Sequence, residues 1–137
     1  MVQEPCGILS EATGNPARCI LAAVQDLLFK TKISAAAAHA GVAVDFIHQE
    51  AQLRQKADTS PVLLLLDLNN TSLDPIGLVR RLKENPAENQ VMILGYLSHV
   101  QQELRLEAER AGCDRVLPRS VFSKNLDEIL RQRSCHL

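Results

Sequence analysis

Asp67 closes the most apolar stretch of the chain, Val62 to Leu66 with its four consecutive leucines. A carboxylate in that place is not there for packing. It stands at the rim of whatever the leucines bury, partly desolvated, where it can serve as ligand, nucleophile or base. The competing structural role is a cap on the following turn through Asn69 or Asn70. A second pair, Cys113 and Arg119, has the Cys-x5-Arg spacing that can wrap backbone N–H groups around a phosphate. The residues between them, Asp114-Arg115-Val116-Leu117-Pro118, hold no glycine and read as a strand, which excludes that cradle. His39, His48, His99 and His136 form no ligand pair at helical spacing, and each reads as a surface or helix-end residue. Cys135-His136 reads as an exposed tail able to take adventitious metal at most.

The whole chain limits what such residues can serve. At 137 residues it suits one domain. Apolar residues at 46% and charged residues at 23% are ordinary for a globular protein and too apolar for disorder. Fifteen basic against sixteen acidic residues give a formal net charge of −1, which argues against a nucleic-acid binder. Arg80-Arg81-Lys83 and Arg105 with Arg110 read as solvated helix faces, and aromatics at 3% with no Trp disfavour a stacking platform for single strands. The longest apolar run falls far short of a membrane span, and residues 1–18 lack the basic and apolar segments of a secretory signal. No two of Cys6, Cys19, Cys113 and Cys135 share a Cys-x-x-Cys spacing. They read as reduced thiols, and the location as cytoplasmic.

Short apolar runs alternate with helical patterns from Arg18 onward. Residues 1–17, punctuated by Pro5, Gly7, Gly14, Asn15 and Pro16, read as a flexible extension, and residues 18–134 as the domain. Cys19–Val24 is the first strand. A helix from Asp26 to Ala40 follows, with Leu27, Leu28, Ile33, Ala36, Ala37 and Ala40 facing inward and Gly41 ending it. Val42–Ile47 is the second strand, Gln49–Lys56 a weakly helical segment and Val62–Leu66 a strand covered on both faces. Asp74-Pro75 opens a helix with Ile76, Val79 and Leu82 inside, and Asn85-Pro86 stops it. Val91–Leu94 is the fourth strand. Ser98 then caps a helix through a box with Gln101, Val100, Leu104, Ala108 and Ala111 face inward, and Gly112 terminates it. Arg115–Leu117 is the fifth strand, and a last helix carries Phe122, Leu126, Ile129 and Leu130 on one face. Five strand–helix units predict an α/β fold: a parallel five-stranded sheet covered by helices on both sides, with the site beyond the carboxyl ends of the strands.

At this point the sequence resembles the receiver domain of bacterial two-component response regulators, over roughly residues 19–132. Leu63-Leu64-Leu65-Leu66-Asp67-Leu68-Asn69-Asn70 with Leu73-Asp74 is similar to that family's phosphoacceptor strand and loop, and Gly112-Cys113-Asp114 to its Gly-Ala-Asp signature. The resemblance implies a three-layer flavodoxin-like (βα)5 fold of strand order 2-1-3-4-5, with Asp67 at the phosphoacceptor position. The rest of the family's site departs from pattern. The acidic pair that helps receivers hold Mg²⁺ falls on Val24 and Gln25, with Asp26 one residue late. The Ser/Thr position after the fourth strand is Gly95, the aromatic switch position is Val116, and the lysine position is Arg119.

Each departure has a physical consequence. Mg²⁺ favours near-octahedral oxygen ligation, and only Asp67 and Asp26 remain as weak candidate ligands. Phosphoryl transfer relies on positioned charge, and an arginine fork differs from a lysine point charge. Arg119 could pair with Asp67 directly and occupy the space that a phosphoryl group needs. Gly95 has no hydroxyl and Val116 no ring to swing. Ser98-His99-Val100 and Arg119-Ser120-Val121-Phe122 also resemble atypical receivers.

The expectation is therefore a degenerate or pseudo-receiver: a bacterial phosphorelay-type module that is not an enzyme and has no cofactor, Mg²⁺ entering only if the site works. Its partner would be a kinase, an output protein or a second copy, bound through the fourth helix, fifth strand and fifth helix. Nucleic acid and membrane are not expected partners. Two rival expectations stand beside it. One is a working phosphoacceptor of atypical pattern, with Asp26 turned into the pocket. The other rests on Asp67-Leu68-Asn69-Asn70-Thr71, which resembles the Asp-x-Asp-x-Thr motif of haloacid-dehalogenase-type phosphatases. There Asn69 would stand where a general acid is required.

Overall fold

The computed structural model describes residues 18–84, 91–98 and 101–134. The extension expected over residues 1–17, the stop at Asn85-Pro86, Val100, His99 and the Cys135-His136 tail lie outside the described residues. In chain order the elements are β1 (Cys19–Ala23), α1 (Leu27–Ala40), β2 (Val44–Phe46), α2 (Glu50–Ala57), β3 (Val62–Asp67), a 3-10 turn (Thr71–Leu73), α3 (Pro75–Glu84), β4 (Val91–Leu97), α4 (Gln102–Ala111), β5 (Arg115–Pro118), α5 (Arg119–Lys124) and α6 (Leu126–Gln132). All strand pairs are parallel, in the order β2-β1-β3-β4-β5. This is the flavodoxin-like arrangement expected.

The run of leucines makes β3 the centre. Alternate side chains leave a strand on opposite faces, so a central strand between two helical layers must be apolar throughout. Val62, Leu64 and Leu66 enter the core that includes Leu78, Val79 and Leu82 of α3 and Ala108 of α4. Leu63 and Leu65 enter the other, with Phe29, Ile33 and Ala37 of α1 and Phe122, Ile129 and Leu130 of α5 and α6. Burial of that continuous apolar surface supplies most of the drive to fold.

Local signals fix both ends of α1 and the start of α3. Asp26 caps α1, its Oδ1 accepting from the Leu28 N–H at 2.8 Å. Gly41 closes α1 at φ 73°, a left-handed conformation that glycine adopts without Cβ strain. Asp74 and Pro75 open α3 as expected, with the Leu78 N–H on the Asp74 carbonyl at 2.8 Å. Asp114 holds the start of β5 to β4: its carboxylate accepts the Ile93 N–H at 2.7 Å and the Lys83 ammonium at 3.0 Å, while its own N–H donates to the Ile93 carbonyl at 2.9 Å. The Gly-Cys-Asp stretch thus has a structural task in pairing the strand ends.

Several expectations need correction. Leu27 and Leu28 do not face inward; they are 75% and 62% exposed. The buried stripe of α1 is Phe29, Ile33 and Ala37, an i, i+4, i+8 row that leaves the preceding residues on the outside. The helix after β4 begins at Gln102, not at Ser98, and Gln101 makes no side-chain cap bond. Ser98 and Gln101 are engaged elsewhere, as described below. β4 runs three residues past Leu94, so Gly95 and Tyr96 lie within the strand. The last helix is broken at Asn125, whose backbone leaves helical geometry and whose side-chain amide donates to the Val121 carbonyl at 2.9 Å. The cysteines are not all free thiols. Cys113 is a buried thiol that donates to the Arg115 carbonyl at 3.3 Å, but Cys19 is disulfide-bonded. Near that bond, Arg18 and Arg133 each donate to the other's carbonyl at 3.2 Å, tying the start of β1 to the end of α6.

Candidate functional site

Asp67 is the last residue of β3 and 4% exposed. Its Oδ1 accepts the Asn69 N–H at 2.9 Å, and the Asn70 N–H donates to its carbonyl at 3.0 Å. The turn-capping role is therefore real, and it occupies one of the two carboxylate oxygens.

Strand register decides what shares this rim. Asp67 pairs with Tyr96 of β4, and paired residues of a parallel sheet face the same side. Tyr96 is fully buried, and its hydroxyl has no hydrogen-bond partner. Its ring stacks on Phe122 with centroids 4.5 Å apart and on Phe29 at 5.1 Å. Arg119, the first residue of α5, lies over Phe29, Cζ 5.1 Å from the ring centroid, and its Nε is buried without a partner. Three of the four aromatic residues thus form a floor next to the carboxylate, with a guanidinium on it.

Loss of water is the main influence on Asp67 and raises its carboxyl above the ordinary value of 3.8. The Asn69 N–H bond and the Arg119 charge pull the other way, the Asp26 charge pushes it up, and the Gln25 N–H opposes the rise. Tyr96 is pushed far above the usual phenol range, first by burial and then by the Asp67 charge. It is a neutral, unpartnered O–H donor beside the acid. Arg119 acts on Asp67 through space only: among the described residues it makes no ion pair, so the direct pairing considered above does not occur.

A raised pKa in the fold has a definite sign. The share of stability it represents is fully present below the unfolded value near 3.8 and is lost as pH rises through the folded value. Asp67→Asn stays neutral throughout and keeps an acceptor for the Asn69 N–H. At pH 7 it is expected to be more stable than the parent by on the order of 1 kcal/mol. The gap closes below pH ~4, where the parent carboxyl is itself protonated. Urea unfolding at both pH values measures this, and an Asp67→Asn variant less stable than the parent at pH 7 contradicts the account.

The other expected site residues are placed as follows. Val24 is buried in the α1-side core and Gln25 is exposed. Asp26 is near enough for Asp67 to feel its charge, but its carboxylate caps α1. Gly95 faces away from Asp67: a Cβ there would meet Leu68 Cδ1 at 2.9 Å and Cys113 Sγ at 3.1 Å. Val116 is buried on that same far side. Asp67, Asp26 and Arg119 come together; Gly95 and Val116 do not join them.

Magnesium would need these donors. Two carboxylates reach the rim, one spent on a helix cap and the other bonded to a backbone N–H. Among the described residues no group of three or more His, Cys, Asp or Glu side chains could hold a metal ion. Among the described residues a cation here would meet these two carboxylates, each already holding a backbone N–H.

Tyr96 and Asn69 stand at strand ends in the sequence, but the partners they find do not show there. Tyr96 was legible in the unbroken run Val91-Met92-Ile93-Leu94-Gly95-Tyr96-Leu97, which continues the strand through the tyrosine. Asn69 reads in the sequence as a turn partner of Asp67 or as the stand-in for a general acid. Its Oδ1 accepts from the Ser98 N–H at 2.9 Å and the Ser98 hydroxyl at 3.2 Å, and its Nδ2 donates to Gln101 Oε1 at 2.9 Å. It bridges the loops after β3 and β4, a long-range contact that carries no local sequence signal.

No protein-family model and no curated protein matches the chain. Solved structures do. A putative response regulator from Chloroflexus aurantiacus is 18% identical with a TM-score of 0.71, over 84% of this chain and 95% of that one. A response regulator receiver domain from Rhodospirillum rubrum is 16% identical with a TM-score of 0.70, over 87% and 95%. The receiver domain of a Pseudomonas aeruginosa sensor histidine kinase is 21% identical with a TM-score of 0.68, over 84% and 95%, and holds a magnesium ion coordinated in its active-site cleft. The fold is the one these receiver domains share.

Proposed function

We propose that residues 18–134 form a receiver-like module of two-component or phosphorelay signalling that works by binding another protein, with phosphorylation of Asp67 weak or absent. The observation that carries this reading is a receiver fold whose strand-end acid has, among the described residues, one carboxylate neighbour, itself committed to capping α1. Residues 1–17 would be an extension to the module. The module would need no cofactor and catalyse no reaction.

The partner surface we assign is the face of α4, β5 and α5. A notch of about 40 Å³ between α4 and β5 is lined by Leu97, Val116 and Pro118 with Gln101, Gln102 and Arg105. Leu106 of α4 stands 43% exposed. A kinase, an output protein or a second copy would use this face. Among the described residues no helix is long and apolar enough to cross a membrane. A bacterial cytoplasm remains our expectation, although the disulfide at Cys19 removes the argument from reduced thiols.

Beryllofluoride or a small phosphoryl donor, titrated with Mg²⁺ and followed by amide shifts around Asp67, tests the loss of phosphorylation. No saturable shift is expected. Metal-dependent, saturating shifts would overturn the reading in favour of a working phosphoacceptor, an alternative kept in view by the mutual influence of Asp26, Asp67 and Arg119. The phosphatase alternative has less support, because the Asn69 amide that would replace its general acid is held by Ser98 and Gln101.

A further inference from the structure

The outer side of Arg119 faces a second feature, which the Asp67 rim does not use. A cleft of about 380 Å³ lies between α1 and α5, lined by Phe29, Lys32, Arg119, Ser120, Ser123 and Lys124. Three of these six residues are cationic, two carry hydroxyls, and none is acidic. Lys32 and Arg119 lean over the same ring, 5.4 Å and 5.1 Å from the Phe29 centroid. Two like charges on one ring repel, and only part of that repulsion is offset by the ring's negative face. The Lys32 ammonium donates to the Ser123 hydroxyl at 3.4 Å, a long contact. None of the three cations has a carboxylate within ion-pair distance among the described residues, whereas Lys56, Lys83, Arg54, Arg81, Arg105 and Arg131 each do. Arg119 Nε is a buried donor without an acceptor, and such a group costs stability unless something completes it. Asp67 and Asp26 belong to the strand-end rim and line no part of the cleft.

We infer that the cleft between α1 and α5 binds the diphosphate group of a small phosphorylated ligand through Lys32, Arg119 and Lys124, with the Ser120 and Ser123 hydroxyls as further donors. A single phosphate would leave much of the volume empty, and three cations match a group carrying two or more charges. Phe29 is buried, so the cleft offers no stacking surface for a base, and the remainder of such a ligand would extend into solvent.

Sodium pyrophosphate titrated into the ¹⁵N-labelled protein at fixed ionic strength, with a chelator present, tests this site. The chelator removes metal-dependent events at Asp67, so the result stands apart from the phosphorylation test. Saturable shifts at Lys32, Ser120, Ser123 and Lys124 are expected, with a Kd below about 1 mM. The double variant K32Q/K124Q alters two exposed side chains and should weaken binding by about tenfold or more. Adenosine diphosphate separates the two sources of the group: affinity equal to pyrophosphate means that the diphosphate alone is read, and tighter binding means that a nucleotide supplies it. Non-saturating shifts, an equal response to sulfate at matched ionic strength, or an unchanged Kd in K32Q/K124Q would overturn the inference.

Discussion

Phe122→Ala is expected to lower the unfolding free energy by about 3–5 kcal/mol and the Tm by on the order of 10 °C. Phe122 is fully buried, and its ring lies 4.5 Å from Tyr96 at 10° and 6.1 Å from Phe29 at 15°. Truncation removes apolar surface and stacking contacts together. Its backbone sits in the six-residue α5 between the Arg119 end and Asn125, where there is little freedom to collapse into the void. Tyr96 and Phe29 lose a wall, and Phe29 supports the Arg119 guanidinium. The stability loss should therefore come with movement of the Asp67, Tyr96 and Arg119 amide signals. Phe122→Leu keeps most of the volume and should cost markedly less, roughly 1–1.5 kcal/mol. Urea unfolding of the two variants checks the order. Equal costs would mean that the stack is not a unit.

The architecture was legible because it rests on patterns with short reach. Four leucines before Asp67 require a strand covered twice, and Gly41, Gly112 and Asp74-Pro75 mark helix ends by local chemistry. What was misread depended on partners distant in sequence. Leu27 and Leu28 look like core residues because they are leucines, yet the stripe set by Phe29, Ile33 and Ala37 leaves them outside. Ser98 and Gln101 have the spacing of a capping box, yet Asn69, about 30 residues earlier, takes both side chains. The disulfide at Cys19 had no spacing signal at all. The site divides in the same way. Asp67 is announced by what precedes it, whereas the place of Tyr96 beside it and the cationic cleft exist only once β4 pairs with β3 and α1 packs beside α5.

Gly95→Thr puts a hydroxyl at the position where the family resemblance calls for one, and it is expected to destabilise the protein by about 1–3 kcal/mol without creating a phosphorylation response. A Cβ at Gly95 meets Leu68 Cδ1 at 2.9 Å and Cys113 Sγ at 3.1 Å, both buried on the side of the sheet away from Asp67. Leu68 can yield somewhat as a flexible end, but the threonine's methyl and hydroxyl both need room in a packed core. A hydroxyl without an acceptor there adds its own desolvation cost. Gly95→Ala, with the Cβ alone, should fall between the parent and Gly95→Thr. Cys113→Ala combined with Gly95→Thr trims one of the two side chains in close contact, so the double variant should recover part of the loss, a coupling that a double-mutant cycle reads directly. The same proteins treated with phosphoryl donor and Mg²⁺ should stay unlabelled at Asp67, because Val24 and Gln25 still stand where the resemblance calls for acids and the new hydroxyl faces the other layer. A stable Gly95→Thr protein that acquires donor-dependent label would show instead that one hydroxyl was all the site lacked.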